Sequence, residues 1–202
     1  MKANLLSFSV SEFYESCRRA ASFIEGKASE GLFIQIICHS DADGIAAGSI
    51  MAKAVSRLGA PFAVRVVRQL DERTIQQLPP PKGRLFIFAD IGSGYVDLLK
   101  GLGEVVVIDH HEPMGREPPN VVHVNPHLFG IDGGGEVSGS GVSYLVAKHI
   151  GRGNADLSPL AVVGALGDLQ DKGPKRSLTG INQAIADEAI GLGLLKCDID
   201  LM

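Results

Sequence analysis

Leu32-Phe33-Ile34-Gln35-Ile36-Ile37-Cys38-His39-Ser40-Asp41-Ala42-Asp43-Gly44 is the stretch on which the fold turns. The run Leu32–Cys38 is almost unbroken apolar sequence, which reads as a strand buried on both faces, because a strand with one wet face would alternate. It ends in a histidine and two aspartates, after which Gly44 lets the chain turn sharply into a helix expected over Ile45–Leu58. Working outward, apolar runs bounded by turn residues recur at Phe62–Val67, Leu85–Ala89, Glu104–Ile108 and Val121–Val124. Helical segments are expected at Val10–Ser29, Asp71–Leu78, Tyr95–Gly101, Gly141–Ile150, Pro159–Leu169 and Thr179–Leu195. This alternation predicts a doubly wound α/β domain with a mainly parallel, five-stranded sheet and helices on both faces.

Composition narrows the function. The chain has 202 residues, 45% of them apolar and 21% charged, enough for one domain with a sizeable core. Its 25 glycines fall in short turns rather than in a collagen-like period. A net charge of −4 excludes a strongly basic nucleic-acid coat but not a focused basic patch. Cys17, Cys38 and Cys197 lie far apart without a C-x-x-C pair, which argues against zinc-thiolate, iron–sulfur and disulfide frameworks and for a reducing, cytoplasmic setting. No apolar run approaches the roughly 20 residues of a membrane helix, so a soluble protein is expected.

Open parallel sheets bind ligands beyond the carboxyl ends of their strands. Three of the five runs end there in acids or histidines: His39-Ser40-Asp41-Ala42-Asp43, Asp90-Ile91-Gly92 and Asp109-His110-His111. Alternate residues of an extended segment share a side, so His39, Asp41 and Asp43 are expected to converge. Asp168 joins them from the end of an apolar helix. Each group has an ordinary reading as well. Asp43 would serve as an N-cap, Asp90 as a turn residue, Asp168 as a cap or ion-pair partner, and His110 and His111 as a surface pair. Their coincidence at one end of the sheet favours a metal site. Imidazole and carboxylate ligands without thiolates suit Mn²⁺, Fe²⁺, Zn²⁺ or Mg²⁺, and so many carboxylates together call for two cations sharing a ligand.

The same residues carry a resemblance. His-x-Asp-x-Asp-Gly at 39–44, Asp90, Asp-His-His at 109–111 and Gly-x-x-x-Asp ending at 168 resemble the four motifs of the DHH phosphoesterases. The stretch Asn125-Pro126-His127-Leu128-Phe129-Gly130-Ile131-Asp132-Gly133, followed by Ser138-Gly139-Ser140-Gly141, looks most like the archaeal RecJ-like exonucleases. The resemblance covers about residues 31–170. It implies that His39 and Asp41 hold one Mn²⁺, that Asp43, His110 and Asp168 hold a second, and that Asp90 bridges, with Mg²⁺ as the substitute metal. It further implies that Asp109 orients a histidine and that His111 faces the scissile phosphate. The activity implied is in-line hydrolysis of a phosphodiester in single-stranded DNA, RNA or short oligonucleotides.

Three further expectations attach to the resemblance and to nearby residues. Ser138 and Gly139 open a helix whose N–H groups are candidates for a second phosphate, although Ser138 is equally a routine N-cap. Lys172, Lys175 and Arg176, close after Asp168, are candidate contacts to a nucleic-acid backbone, with a solvated loop as the alternative. RecJ-like proteins carry a second, substrate-holding domain after a linking helix. Residues 1–202 are expected to be the DHH domain alone, with 179–202 as the start of that linker. Because archaeal RecJ-like proteins associate with the GINS complex, a replication scaffold is the alternative function.

Overall fold

The computed structural model describes residues 2–151 and 153–197, with side chains described from residue 9 onward. Helix α1 (Lys2–Ser29) leads into strand β1 (Phe33–His39), helix α2 (Ala42–Arg57), strand β2 (Phe62–Val67) and the short helix α3 (Glu72–Gln76). Strands β3 (Arg84–Ala89), β4 (Glu104–Ile108) and β5 (Val121–Val124) follow, then helices α4 (Gly139–His149), α5 (Ser158–Gly167) and α6 (Gly180–Gly191). The sheet order is β2-β1-β3-β4-β5, and every pairing is parallel.

Both faces of the sheet are covered, which is why its strands read as unbroken apolar runs. Ile34, Ile36, Leu85, Ile87 and Val106 pack beneath α1, α2 and α4, against Phe13, Ile24, Ile50, Met51 and Tyr144. Ile37, Phe86, Phe88, Val105 and Val107 face Leu70, Ile75 and Leu99 on the opposite side. That second layer is thin. The expected helix Tyr95–Gly101 is a 3₁₀ segment spanning Ser93–Gly101, and further 3₁₀ turns form at Pro126–Phe129, Asn154–Leu157 and Pro174–Arg176. Segments of this kind repeat every three residues and are short, so they do not show a 3.6-residue apolar period.

Strand order and register together place the site. The chain leaves β1 for β2 on one side and returns to β3 on the other, so β1 and β3 flank the topological switch point where such sheets bind ligands. Cys38 lies opposite Ala89, and Ala89 opposite Ile108. The three strands therefore end level, with His39, Asp90 and Asp109 side by side at the carboxyl edge.

Helix α2 starts three residues before the expected Ile45, because Asp41 caps it by accepting from the Gly44 N–H at 2.8 Å. Asp43 consequently sits in the first helical turn rather than in an extended segment, and the expected N-cap role belongs to Asp41. A Cβ at Gly44 would lie 2.5 Å from the His39 carbonyl oxygen, so only glycine lets α2 leave the strand this tightly. At the other end of the chain, Ile181, Ile185 and Ala189 of α6 are buried. The segment expected to begin a linker is thus packed on the domain up to Gly191, and residues 198–202 of that stretch lie outside the described residues. Among the described residues no helix is long and apolar enough to cross a membrane.

Candidate metal centre

His39 is oriented from both ring nitrogens. Nε2 lies 3.1 Å from the Arg68 carbonyl, which can only accept, so Nε2 carries the proton. Nδ1 then meets Asp41 Oδ2 at 2.7 Å and faces Asp90 Oδ2 at 3.9 Å, so three potential metal-ligating atoms converge there.

His110 is fixed in the same way. Its Nδ1 donates to the Gly133 carbonyl at 2.6 Å, which turns Nε2 toward three carboxylates. Asp90 Oδ1 lies 3.2 Å away, Asp43 Oδ2 3.7 Å and Asp168 Oδ2 3.8 Å. Burial works against a charged imidazole here, but the Asp90 and Asp43 carboxylates outweigh it and push His110 up to about 10. Nε2 therefore holds a proton that a metal ion would have to displace, and the surrounding carboxylates favour either cation.

Asp90 is the least satisfied group in the site. It is 1% exposed, among the described residues no well-aligned hydrogen bond reaches either carboxylate oxygen, and its backbone is held at φ +60°. A buried carboxylate without well-aligned donors is costly, and burial accordingly pushes its carboxyl up to about 8. A Cβ at Gly139 would collide with Asp90 Oδ1, so the backbone of α4 approaches the carboxylate as closely as a chain can.

Asp43 is treated in the opposite way. Its Oδ2 accepts from the Gly139 N–H at 2.7 Å and its Oδ1 from the Ser140 N–H at 3.0 Å. The amino end of α4 therefore binds a carboxylate of the protein itself. This corrects the expectation for Ser138 and Gly139: the Gly139 N–H is taken by Asp43, and buried Ser138 uses its Oγ to cap α4 through the Gly141 N–H at 3.1 Å. Neither is free to hold a second phosphate.

Asp109 orients rather than converges. It accepts from the Ser93 N–H at 2.8 Å and the His110 N–H at 2.8 Å, and from His111 Nδ1 at 2.8 Å. Burial opposes its ionisation, but the His111 and Ser93 bonds and the two imidazoles hold it well below the usual carboxylate range. His111, tied through Nδ1, presents Nε2 to solvent with its side chain 53% exposed. The two histidines thus differ: His110 is buried among carboxylates, and His111 stands at the mouth.

Gln170 was not singled out from the sequence. Its side chain is fully buried, Nε2 donates to Asp168 Oδ2 at 2.8 Å and to the Gly133 carbonyl at 2.9 Å, and Oε1 accepts from Asn182 at 2.6 Å. It links the Asp168 and His110 supports, and an amide two residues beyond an aspartate carries no pattern that would reveal this. The basic segment is partly occupied: Lys172 Nζ donates to the Gly134 carbonyl at 2.6 Å and Arg176 pairs with Asp171 at 2.6 Å.

Ligand atoms of three groups lie within 4.8 Å of one another: His39, Asp41 and Asp90; Asp43, His110 and Asp168; and Asp90, His110 and His111. Among the described residues no lysine or arginine pairs with Asp41, Asp43, Asp90 or Asp168. Hard oxygen and imidazole donors without thiolate, unpaired by any basic side chain, fit divalent Mn²⁺ or Mg²⁺.

A flavodoxin-like strand order with a carboxylate–imidazole cluster at its switch point defines an α/β domain built around a metal-ligating site. The chain belongs to the DHH family: the model of the DHH family, N-terminal domain, matches residues 33–167. It is 39% identical over 164 residues to an uncharacterized protein of Methanocaldococcus jannaschii, covering 78% of this chain and 37% of that protein. To the single-stranded-DNA-specific exonuclease RecJ of Thermus thermophilus it is 29% identical over 184 residues, covering 86% of this chain and 27% of RecJ. The chain thus spans well under half the length of either relative. Among solved structures it superposes on RecJ from Thermus thermophilus in complex with Mn²⁺ with a TM-score of 0.70 and 26% identity, over 87% of this chain and 26% of that one. CDC45 from Entamoeba histolytica shares the fold, with a TM-score of 0.66 and 16% identity over 94% of this chain and 40% of that one.

Proposed function

We propose that this domain is a manganese-dependent phosphodiesterase acting on single-stranded DNA, RNA or short oligonucleotides, and that it works in the cytoplasm. The observation that carries the reading is Asp90, a buried carboxylate with no well-aligned hydrogen bond to either oxygen among the described residues, set between the His39–Asp41 and His110–Asp168 groups. Similarity to RecJ over most of this chain supports the substrate class.

His39 and Asp41 would hold one Mn²⁺, Asp43, His110 and Asp168 the other, with Asp90 serving both. When bound, such a pair supplies activation of the attacking water and neutralisation of the charge that develops on the phosphate. The chain's own residues provide the rest. Gly133 and Arg68 carbonyls fix which nitrogen of His110 and His39 faces the carboxylates. Asp109 holds His111 by Nδ1 and favours its charged form, so Nε2–H can donate to a non-bridging phosphate oxygen of the substrate. His111 and Asp109 are thus the proposed catalytic pair. Lys175, with Lys172 and Arg176 already engaged, is the freest of the three proposed contacts to the nucleic-acid backbone.

The second reading is a scaffold in a GINS-containing replication assembly, favoured by the fold shared with CDC45. The two readings separate on one experiment, incubation of end-labelled single strands with Mn²⁺. The enzyme reading predicts a ladder of products growing from one end. Intact strands after prolonged incubation would favour the scaffold.

A further inference from the structure

A cavity of about 230 Å³ adjoins the metal centre, and Tyr95, among the residues that line it, has no part in the chemistry above. His39, Asp90 and His111 of the centre line it together with Arg68, Ile91 and Tyr95. His110, Asp43 and Asp168 do not line it, so it opens on the His39 and Asp90 half of the centre.

Tyr95 is out of place for a structural aromatic. It is 47% exposed, and among the described residues no other tyrosine or phenylalanine is so open to solvent. The chain presents it through a local distortion. Gly92 adopts φ +125° ahead of the 3₁₀ segment, and at Tyr95 itself the backbone leaves helical values for φ −140° and ψ 24°. Arg68, which also lines the cavity, uses its carbonyl to hold His39, while its guanidinium pairs with no carboxylate among the described residues. Arg65, by contrast, is tied to Gln77.

Together, an exposed ring, an unpaired guanidinium and a phosphate-attacking centre around one small cavity match the parts of a nucleotide. We propose that Tyr95 is a stacking platform for the base of the strand-end nucleotide whose phosphodiester lies at Asp90 and His111, with Arg68 meeting backbone charge at the same cavity. This rests on the phosphodiesterase reading. The cavity is smaller than the roughly 300–1,000 Å³ of ordinary ligand pockets, a size that suits a single nucleotide unit. Every base has a π-face, so the platform tolerates any sequence but requires a base.

The test compares two oligonucleotides, one intact and one abasic at the nucleotide of the end that is attacked, on the wild-type chain and on Tyr95→Ala, Tyr95→Trp and Tyr95→Phe. KM and kcat are measured with Mn²⁺, and dissociation constants by fluorescence anisotropy with the label at the distal end. Stacking of ordinary strength predicts that Tyr95→Ala raises KM and Kd for the intact strand about tenfold, that Tyr95→Trp and Tyr95→Phe retain tight binding, and that the abasic strand binds all four proteins alike. Equal affinity of the wild-type chain for intact and abasic strands overturns the inference, and hydrolysis in that same experiment leaves the phosphodiesterase reading standing. Base-dependent binding that is lost in Tyr95→Ala, without hydrolysis, upholds the platform and removes the enzymatic reading.

Discussion

His110 Nε2 lies 3.2 Å from Asp90 Oδ1, an ion-pair distance, and among the described residues no other donor makes a hydrogen bond to either Asp90 oxygen. A buried acid and a buried base face each other across space that a cation would fill, and both are held by backbone that gives them little freedom to turn away. Metal-free protein must hold protons in that gap.

Stability should therefore depend on pH with opposite signs in the two metal states. Burial pushes Asp90 up to about 8 from an ordinary 3.8, so between those values the folded empty site keeps a proton that the unfolded chain has released. Stability of the metal-free protein falls as pH rises through that window, by at most about 1.4 kcal/mol per unit for one proton. Mn²⁺ displaces the proton, so its stabilising effect is larger at pH 8 than at pH 5. Thermal melts in chelator and in Mn²⁺ at the two pH values read this directly, and Asp90→Asn should flatten the chelator series. A metal-free protein that gains stability from pH 5 to pH 8 contradicts it.

The two histidines should fail differently. His110→Ala removes a nitrogen buried among carboxylates and should lower Mn²⁺ occupancy. His111→Ala leaves those carboxylates in place and should keep the metal while lowering kcat by roughly 10²–10³-fold, the cost of losing one donor to a developing negative charge. Metal analysis beside single-turnover rates separates them. Equal metal loss in both variants would refute the division.

Gln170→Leu should weaken Mn²⁺ binding without contacting the ion. The leucine cannot donate to Asp168 or to the Gly133 carbonyl that holds His110. Losing a partner that orients metal ligands costs roughly 10–100-fold in affinity. Titration with Mn²⁺ gives the number, and Gln170→Glu, which keeps the shape but adds charge, should behave no better. Unchanged affinity in both variants would show that Asp168 and His110 are positioned by other means.

The sheet was legible because parallel strands buried on both faces leave uninterrupted apolar runs, and β2, β4 and β5 begin and end where those runs do. The converging aspartates and histidines were legible for a related reason, since strands ending level put the residues that follow them side by side. What sequence reading missed depends on contacts far apart in the chain. Gly139 follows a serine at a helix start and reads as part of an anion site, but that site is filled by Asp43, 96 positions earlier. Gln170 gains its role only from where Asp168, Gly133 and Asn182 meet in space, and Tyr95 only from a kink at its own backbone.

The central claim is a pair of metals joined by Asp90, and the most direct measurement is the Mn²⁺ content of the purified chain and of Asp90→Ala after equilibration and removal of free metal. Two tightly held Mn²⁺ per wild-type chain, and none or nearly none in Asp90→Ala, is the result expected if one carboxylate serves both ions. Two Mn²⁺ still bound tightly to Asp90→Ala would contradict it.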